Sequence, residues 1–221
     1  RSPSRGLGDV YKRQVLICAI CGELKAIIVM IKQTAEIFEI LSKGGFISSD
    51  STNPNIRQLY TVIEDNQSEL YDFFAAINFI LESGNEYYYF SRRENKVDLE
   101  RKLEIATRWI DVLDFIKTYD AAFSSGFRFQ PADMVVKVGT DLELKEKLAG
   151  LKKLVGREKH EEMIDKIVND LKRDGFIELE NEITSTYKVV AAFGYLEELV
   201  ACINISCLLY TSDAADDGER V

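Results

Sequence analysis

The sequence predicts a mainly helical protein with small β-hairpins, built from two similar units that a long helix joins. Three observations predict it: helical periodicity over most of the chain, two helix–hairpin segments that resemble each other, and one long amphipathic stretch between them. Hydrophobic residues make up 46% of the 221 positions and charged residues 29%. That balance is typical of a globular protein with enough apolar material for a core.

The first unit is predicted to contain three helices followed by a hairpin. Apolar residues recur at helical spacing over about 24–41 and again from about Asn55 and about Ser68, with Phe46-Ile47 as a short extended piece. Aromatic and β-branched residues then flank the turn Ser83-Gly84-Asn85, which predicts strand, tight turn and strand. A winged helix has the same succession of elements, three helices followed by a hairpin.

The second unit is predicted to repeat the end of the first. A helix over about 158–173 leads into a hairpin around Asn181. Residues 78–82 (NFILE) and residues 175–179 (GFIEL) both follow an amphipathic helix and lead into a polar turn with a return strand. This similarity indicates a degenerate internal repeat with a period of about a hundred residues. A match of four elements in order arises by chance much less often than a match of one strand.

Further helices are predicted between and after these segments. A long helix spans about 96–123, a short helix begins at Pro131 and ends at Gly139, and two more cover about 141–154 and about 191–205. The predicted domains are a first winged helix over 15–95, a connecting helix and linker over 96–130, and a second winged helix with a C-terminal helix over 131–206.

The two ends of the chain are interpreted as foreign to the protein. Residues 1–14 and 207–221 resemble translated sequencing-adapter sequence, and their opposite charges cancel. The net charge of -9 therefore belongs to the middle of the chain. Lys12-Arg13 before an apolar run mimics a signal peptide, but Glu23 and Lys25 interrupt that run, so we expect neither a signal peptide nor a membrane span.

The motifs of common enzyme classes are missing from the sequence. It contains no phosphate-binding loop and no dinucleotide turn, and its one histidine, His160, excludes a histidine cluster. Cys18 and Cys21 have metal-ligand spacing, but their apolar neighbours favour buried reduced thiols. We therefore expect no catalysis, no metal and no cofactor, and an enzyme with an unrecognised site is the least favoured alternative.

A basic stretch lies within this acidic chain. Residues 145–159 carry an excess of positive charge and lead into the helix that a winged helix would use for recognition. Lys152, Lys153, Arg157 and Lys159 are therefore the candidate DNA contacts, through phosphate groups. The other interpretation is a charged loop whose lysines pair with nearby acids. Because the far side of the helix is acidic, docking of the whole helix in a DNA groove is not expected.

The row Tyr87-Tyr88-Tyr89 supplies the candidate contacts with a partner protein. Side chains alternate across a strand, so at least one ring is expected to face the core and another to face outward. Aromatic side chains are enriched at interfaces, which makes Tyr87 and Tyr89 the candidates. Core packing of these rings is the alternative.

The first unit also resembles a known family. Residues 37–47 (IFEILSKGGFI), followed by Leu59-Tyr60, Phe73-Phe74 and Tyr88-Tyr89-Phe90, are similar to the first domain of MukE/MksE-type condensin subunits. The resemblance covers about 24–205. It implies a tandem winged-helix protein that self-associates, commonly as a dimer, and binds a kleisin subunit (MukF/MksF-like), which closes an SMC-like ATPase (MukB/MksB-like). It also implies that the second winged helix can touch DNA.

Two function classes follow from these observations. The leading hypothesis is a non-catalytic subunit of a bacterial condensin-like complex, cytoplasmic and nucleoid-associated, in chromosome condensation and segregation or in DNA defence. The alternative is a winged-helix transcription regulator, which requires a basic recognition helix. A pI near 4.9 argues against the regulator and against strong autonomous DNA binding.

Overall fold

Helices and short strands follow one another in the same order in both halves of the chain. The computed structural model describes residues 32–92 and 96–202, with side chains described for all of these except 96–106. In the first unit (residues 32–92), the elements are α1 (32–42), β1 (Ile47–Ser48), α2 (Pro54–Asp65), α3 (Gln67–Ala76), β2 (Ile80–Ser83) and β3 (Tyr87–Ser91).

The second unit (residues 96–202) begins with a long helix and has additional short ones. Its elements are α4 (Lys96–Tyr119), β4 (Arg128–Phe129), α5 (Pro131–Thr140), α6 (Leu142–Gly150), α7 (Lys152–Val155), α8 (His160–Arg173), β5 (Ile177–Asn181), β6 (Thr186–Val189) and α9 (193–202).

Each unit contains a three-stranded antiparallel sheet with the same topology. The strand orders are β1-β3-β2 and β4-β6-β5, so the short first strand pairs with the second strand of the hairpin in both units. Helix, strand, helices and a hairpin that pairs with that strand form the winged-helix arrangement. The predicted fold class, mainly helical with small β-hairpins, is confirmed.

The repeat extends to individual hydrogen bonds. At the end of α3, the backbone N–H of Phe79 donates to the carbonyl of Phe74 at 3.0 Å, and at the end of α8 the N–H of Phe176 donates to Leu171 at 2.9 Å. The preceding residues, Asn78 and Gly175, both adopt a positive φ, of 64° and 83°. The two helices thus end in the same Schellman-type cap, which turns the chain directly into the hairpin.

Local sequence signals place several helix ends. The Asn53 side chain accepts a hydrogen bond from the N–H of Asn55 at 2.9 Å, and Pro54 begins α2, where a missing N–H costs nothing. The Asp141 side chain caps α6 by accepting from the N–H of Leu144 at 3.1 Å. Gly156, with a φ of 68°, ends α7 in the left-handed region.

The buried side chains form two clusters. The first unit packs its own cluster, which includes Ile37, Ile63 and Phe74. The larger cluster runs through α4, α5, α8 and α9, and it includes Tyr87 from the first unit. The second core therefore reaches across the boundary between the units.

The structure differs from the sequence prediction at two helix boundaries and at one strand. The long helix ends at Tyr119 and not near Phe123, because the Asp120 side chain accepts from the N–H of Ala122 at 2.9 Å and turns the chain. The predicted helix over 141–154 is two helices, α6 and α7, separated at Leu151. Strand β4 was not predicted, because two residues carry no periodicity.

Several predictions lie outside the described residues. These are the two adapter-like ends, the start of the first helix over 24–31, the end of the last helix over 203–205, and Cys18, Cys21 and Cys207. Cys202, within the described residues, is exposed. Among the described helices, none combines the length and the hydropathy needed to cross a bilayer.

The hairpin of the first unit depends on a close approach at Gly84. A Cβ atom there would lie 2.0 Å from Cζ of Tyr87, whose side chain is almost completely buried and has no room to move. Gly84→Ala is therefore expected to destabilise the fold by about 1–3 kcal/mol, as measured by urea unfolding.

The matched control for this substitution is Gly139→Ala in α5. A Cβ at Gly139 meets no atom within 4 Å, and alanine favours the helix, so stability should be unchanged or higher by up to about 1 kcal/mol. Equal effects of the two substitutions would contradict the close approach at Gly84.

Candidate functional site

The loop that follows β1 in the first unit docks on the hairpin of the second unit. The Lys188 Nζ lies 3.1 Å from Asp50 Oδ2, and it also donates to the backbone carbonyl of Asp50. The N–H of Ala191 donates to Asp50 Oδ1 at 2.8 Å. Both carboxylate oxygens of Asp50 are thus bound by groups of the second unit.

A second carboxylate makes the reciprocal contact. Glu178, on β5, accepts hydrogen bonds from Ser51 Oγ at 2.7 Å, from the N–H of Thr52 at 2.5 Å and from Thr52 Oγ1 at 2.6 Å. Ser51 is only 1% exposed. Hydrogen bonds to an ionised carboxylate are stronger than neutral ones, so this group fixes the loop against the hairpin.

Aromatic rings complete the contact between the units. Phe46, in the first unit, lies with its ring centroid 5.6 Å from Phe176 and 5.2 Å from Tyr195 of the second unit. It also packs against Tyr87 at 5.9 Å and Tyr89 at 6.0 Å. The polar and aromatic contacts together form a continuous interface within one chain.

The two candidate tyrosines lie in this interface. Tyr87 is 1% exposed, and burial raises its pKa to about 12, so the ring stays neutral at physiological pH. Tyr89 is half-buried against Tyr195, with the ring centroids 4.9 Å apart. Contact of either ring with another protein remains a prediction, and Tyr87 is reachable only if the two units separate.

A buried carboxylate links α8 to α4. Asp170 is 3% exposed and pairs with Arg108, with Lys166 Nζ at 2.7 Å and with Arg173 Nη1 at 2.9 Å. Burial alone would raise the pKa of Asp170, but the hydrogen bond from Lys166 and the charges of Arg108, Lys166 and Arg173 outweigh it, so the pKa lies below its ordinary value. The cluster has a structural role, since it holds the recognition helix of the second unit on the long helix.

The four candidate DNA contacts lie together between α6 and α8, and all of them are exposed. Lys152 and Lys153 belong to α7, whereas Arg157 and Lys159 lie in the segment before α8. Two of them have acidic partners: Lys152 Nζ lies 3.2 Å from Glu158, and Lys159 Nζ lies 3.2 Å from Glu162. These pairs reduce the positive potential of the patch, as the charged-loop interpretation anticipated.

In both recognition helices the first turn exposes carboxylates and contains no Lys or Arg. Helix α3 contains no Lys or Arg, and its exposed side chains include Glu69, Asp72 and Phe73. Helix α8 exposes Glu161, Glu162 and Asp165. Insertion of either helix into a DNA groove would place carboxylates near phosphates. Over residues 32–92 and 96–202, no group of three or more potential ligands could hold a metal ion.

One sequence comparison identifies the family of this chain. Residues 32–200 match the family model described as condensin complex protein MksE. The chain belongs to the MksE family. The matched region begins in α1 and ends in α9, so it includes both units and the interface between them. No curated protein matches the sequence.

Membership of the MksE family makes the chain a condensin-complex protein. The resemblance noted in the sequence is thereby confirmed.

The interface residues Asp50, Glu178 and Lys188 were not identified from the sequence. A signal was present, because Glu178 and Lys188 pair across the second hairpin where the first hairpin pairs Leu81 with Phe90. Polar residues at the positions of apolar ones in a repeat indicate a specific contact.

Proposed function

We propose that this MksE-family chain is a non-catalytic, self-associating subunit of a bacterial condensin-like complex. It binds the kleisin subunit and, through it, the SMC-like ATPase, in the cytoplasm on the nucleoid. The complex supports chromosome condensation and segregation or DNA defence. The observation that carries this proposal is the family match over both winged-helix units.

The surface charge supports a protein partner over a DNA-binding regulator. The recognition helix α3 lacks basic residues and exposes Phe73, which is 52% accessible. Exposed apolar side chains next to carboxylates are typical of a surface that meets another protein and unfavourable for a surface that meets phosphates. The regulator is therefore not favoured.

Co-purification tests the proposal. The full chain carrying an affinity tag is co-expressed with the kleisin-like subunit and the SMC-like ATPase from the same organism. We expect both subunits to be retained at physiological salt and to elute with the chain as one species in size-exclusion chromatography. Elution of the chain alone, with the kleisin-like subunit folded and soluble, would overturn the proposal.

We further propose that Lys152, Lys153, Arg157 and Lys159 add a weak, salt-sensitive DNA contact within the complex. All four side chains are exposed on one segment, and each phosphate contact contributes to the salt dependence of binding.

The double charge reversal Lys153→Glu and Arg157→Glu is expected to lower DNA retention by the assembled complex several-fold at low salt. It should also reduce the slope of log affinity against log salt by about 2. The matched control reverses two exposed lysines, Lys32 at the start of α1 and Lys43 just after its end, and should leave retention unchanged. Equal DNA retention by both variants would contradict the proposed DNA contact.

A further inference from the structure

An apolar groove lies on the first unit where α3 ends and β2 begins. The cleft of about 660 Å³ is lined by Ala75, Ile77, Asn78, Phe79, Ile80 and Arg92. Ile77 and Ile80 are each 42% exposed, which is unusual for two neighbouring isoleucines. Strand β2 is an edge of its sheet, and no described strand pairs with its outer side. The groove therefore offers apolar side chains beside an open strand edge.

The internal repeat indicates what kind of group fits this groove. The residues equivalent to Asn78 and Phe79 in the second unit are Gly175 and Phe176, since both pairs form the same helix cap. In the second unit this position is occupied: the ring of Phe46 stands 5.6 Å from that of Phe176, and its Cδ2 would lie 3.6 Å from a Cβ at Gly175. The second copy of the cap therefore binds an aromatic side chain.

At the end of α3, the groove of the first unit carries apolar residues where its occupied counterpart carries charged ones, whereas at its other edge Arg92 stands in the place of Val190. Ile77 stands where the second unit has Asp174, and Ala75 stands where it has Lys172. Removal of these charges strengthens the preference for an apolar occupant. An aromatic ring would bury Ile77 and Ile80 as Phe46 helps to bury Phe176.

Charge at the edge of the groove specifies the occupant further. The guanidinium of Arg92 lies 3.9 Å from the centre of the Phe79 ring and is exposed. In the occupied site, the segment that carries Phe46 also carries Asp50, which pairs with Lys188. Arg92 is not the equivalent of Lys188, which corresponds to Phe90, but its exposed guanidinium lies at the edge of the groove and would pair with a carboxylate close in sequence to the aromatic residue.

We propose that the groove at Ile77, Phe79 and Ile80 is a docking site for an extended segment of a partner protein that carries an aromatic side chain followed closely by a carboxylate. The identification of the partner as the kleisin subunit rests on the proposed function. The location of the groove and the chemistry of the occupant come from the repeat.

A titration of the full chain tests the chemistry of the groove. The probe is a capped peptide of residues 44–52 (GGFISSDST), the segment that fills the equivalent site, and the signals are isoleucine methyl resonances. We expect saturable shifts at Ile77 and Ile80, loss of binding when Phe46 of the peptide becomes alanine, and several-fold weaker binding by the Arg92→Gln chain. Absent shifts, or shifts that persist with the alanine peptide, would overturn the proposal.

The substitution Ile77→Asp tests docking in the groove, and Val136→Asp is its control. Both residues are exposed, at 42% and 69%, so neither substitution should disturb folding, which circular dichroism verifies. Ile77→Asp is expected to weaken peptide binding at least tenfold, whereas Val136→Asp should not change it. Equal effects would contradict docking in the groove.

Photo-crosslinking in the assembled complex identifies the occupant. A photoreactive phenylalanine at position 77 should crosslink to an aromatic, acidic segment of the kleisin-like subunit, whereas one at position 136 should not. A crosslink to a second copy of the chain, or none in an intact complex, overturns the proposal and leaves the proposed function standing. If no complex forms, the proposed function fails, and the peptide titration still decides the chemistry of the groove.

Discussion

Replacement of Asp170 by asparagine is expected to destabilise the protein by about 1–3 kcal/mol. The carboxylate is almost completely buried and bound by Arg108, Lys166 and Arg173. An asparagine of similar size keeps the space filled but leaves three cations without their shared counter-charge. The loss is smaller than for a fully buried ion pair, because the side chains of Arg108, Lys166 and Arg173 are partly exposed and stay hydrated. It should appear in urea unfolding at pH 7.

The matched control for this substitution is Asp165→Asn. Asp165 lies on the same helix but is exposed, so its replacement should change the free energy of unfolding by less than about 0.5 kcal/mol. Comparable effects of the two substitutions would show that the cluster does not hold α8 on α4.

The same cluster predicts a pH dependence. Despite its burial, the cations hold the pKa of Asp170 below its ordinary value in the folded state. The stabilisation is therefore fully present above the pKa of the unfolded chain, about 4, and is lost as the pH falls through the lower folded pKa. The stability difference between the wild type and Asp170→Asn should shrink below about pH 4. A constant difference from pH 7 to pH 3 would contradict this origin.

Replacement of Glu178 by glutamine is expected to destabilise the protein by about 1–2 kcal/mol. Glu178 accepts three hydrogen bonds from Ser51 and Thr52 across the interface between the units. A glutamine keeps one oxygen that can accept from both Thr52 groups, and its N–H₂ group can donate to the Ser51 hydroxyl, which then acts as the acceptor. The loss therefore comes from removal of the negative charge that strengthens these hydrogen bonds.

The control for Glu178 stands two residues further along the same strand. Glu180 pairs with Arg128 at 2.6 Å, but Arg128 is more than half exposed. Exposed ion pairs contribute little, so Glu180→Gln should have a much smaller effect on urea unfolding. If both substitutions cost the same, the interface between the units does not depend on Glu178.

The sequence predicts most of the secondary structure because its signals are local. Apolar periodicity places α2, α3 and α8, and turn residues place both hairpins. The same signals fail at β4, whose two residues show no pattern, and at the end of α4, where the side chain of Asp120 ends the helix. The end of a helix of this kind depends on a single hydrogen bond and not on periodicity.

The interface between the units was not predicted, because it depends on residues far apart in the chain. Alternation along β3 correctly indicates that neighbouring tyrosines face opposite sides of the sheet, but the expectation that one ring faces outward is wrong, because Tyr87 and Tyr88 are both buried and Tyr89 is half-buried. Tyr88 packs in the first core, whereas Tyr87 packs against the second unit. A periodic pattern gives the direction of a side chain, and only the fold gives its neighbour.

The central claim is that this MksE-family chain binds a protein partner and is not an autonomous DNA-binding regulator. It is tested most directly by parallel titrations of the purified chain with the kleisin-like subunit and with duplex DNA, at the same physiological salt concentration. We predict saturable, stoichiometric binding to the kleisin-like subunit, and DNA binding by the chain alone that is weaker and disappears as salt is raised. Tight, sequence-specific DNA binding without any binding to the kleisin-like subunit would contradict the claim.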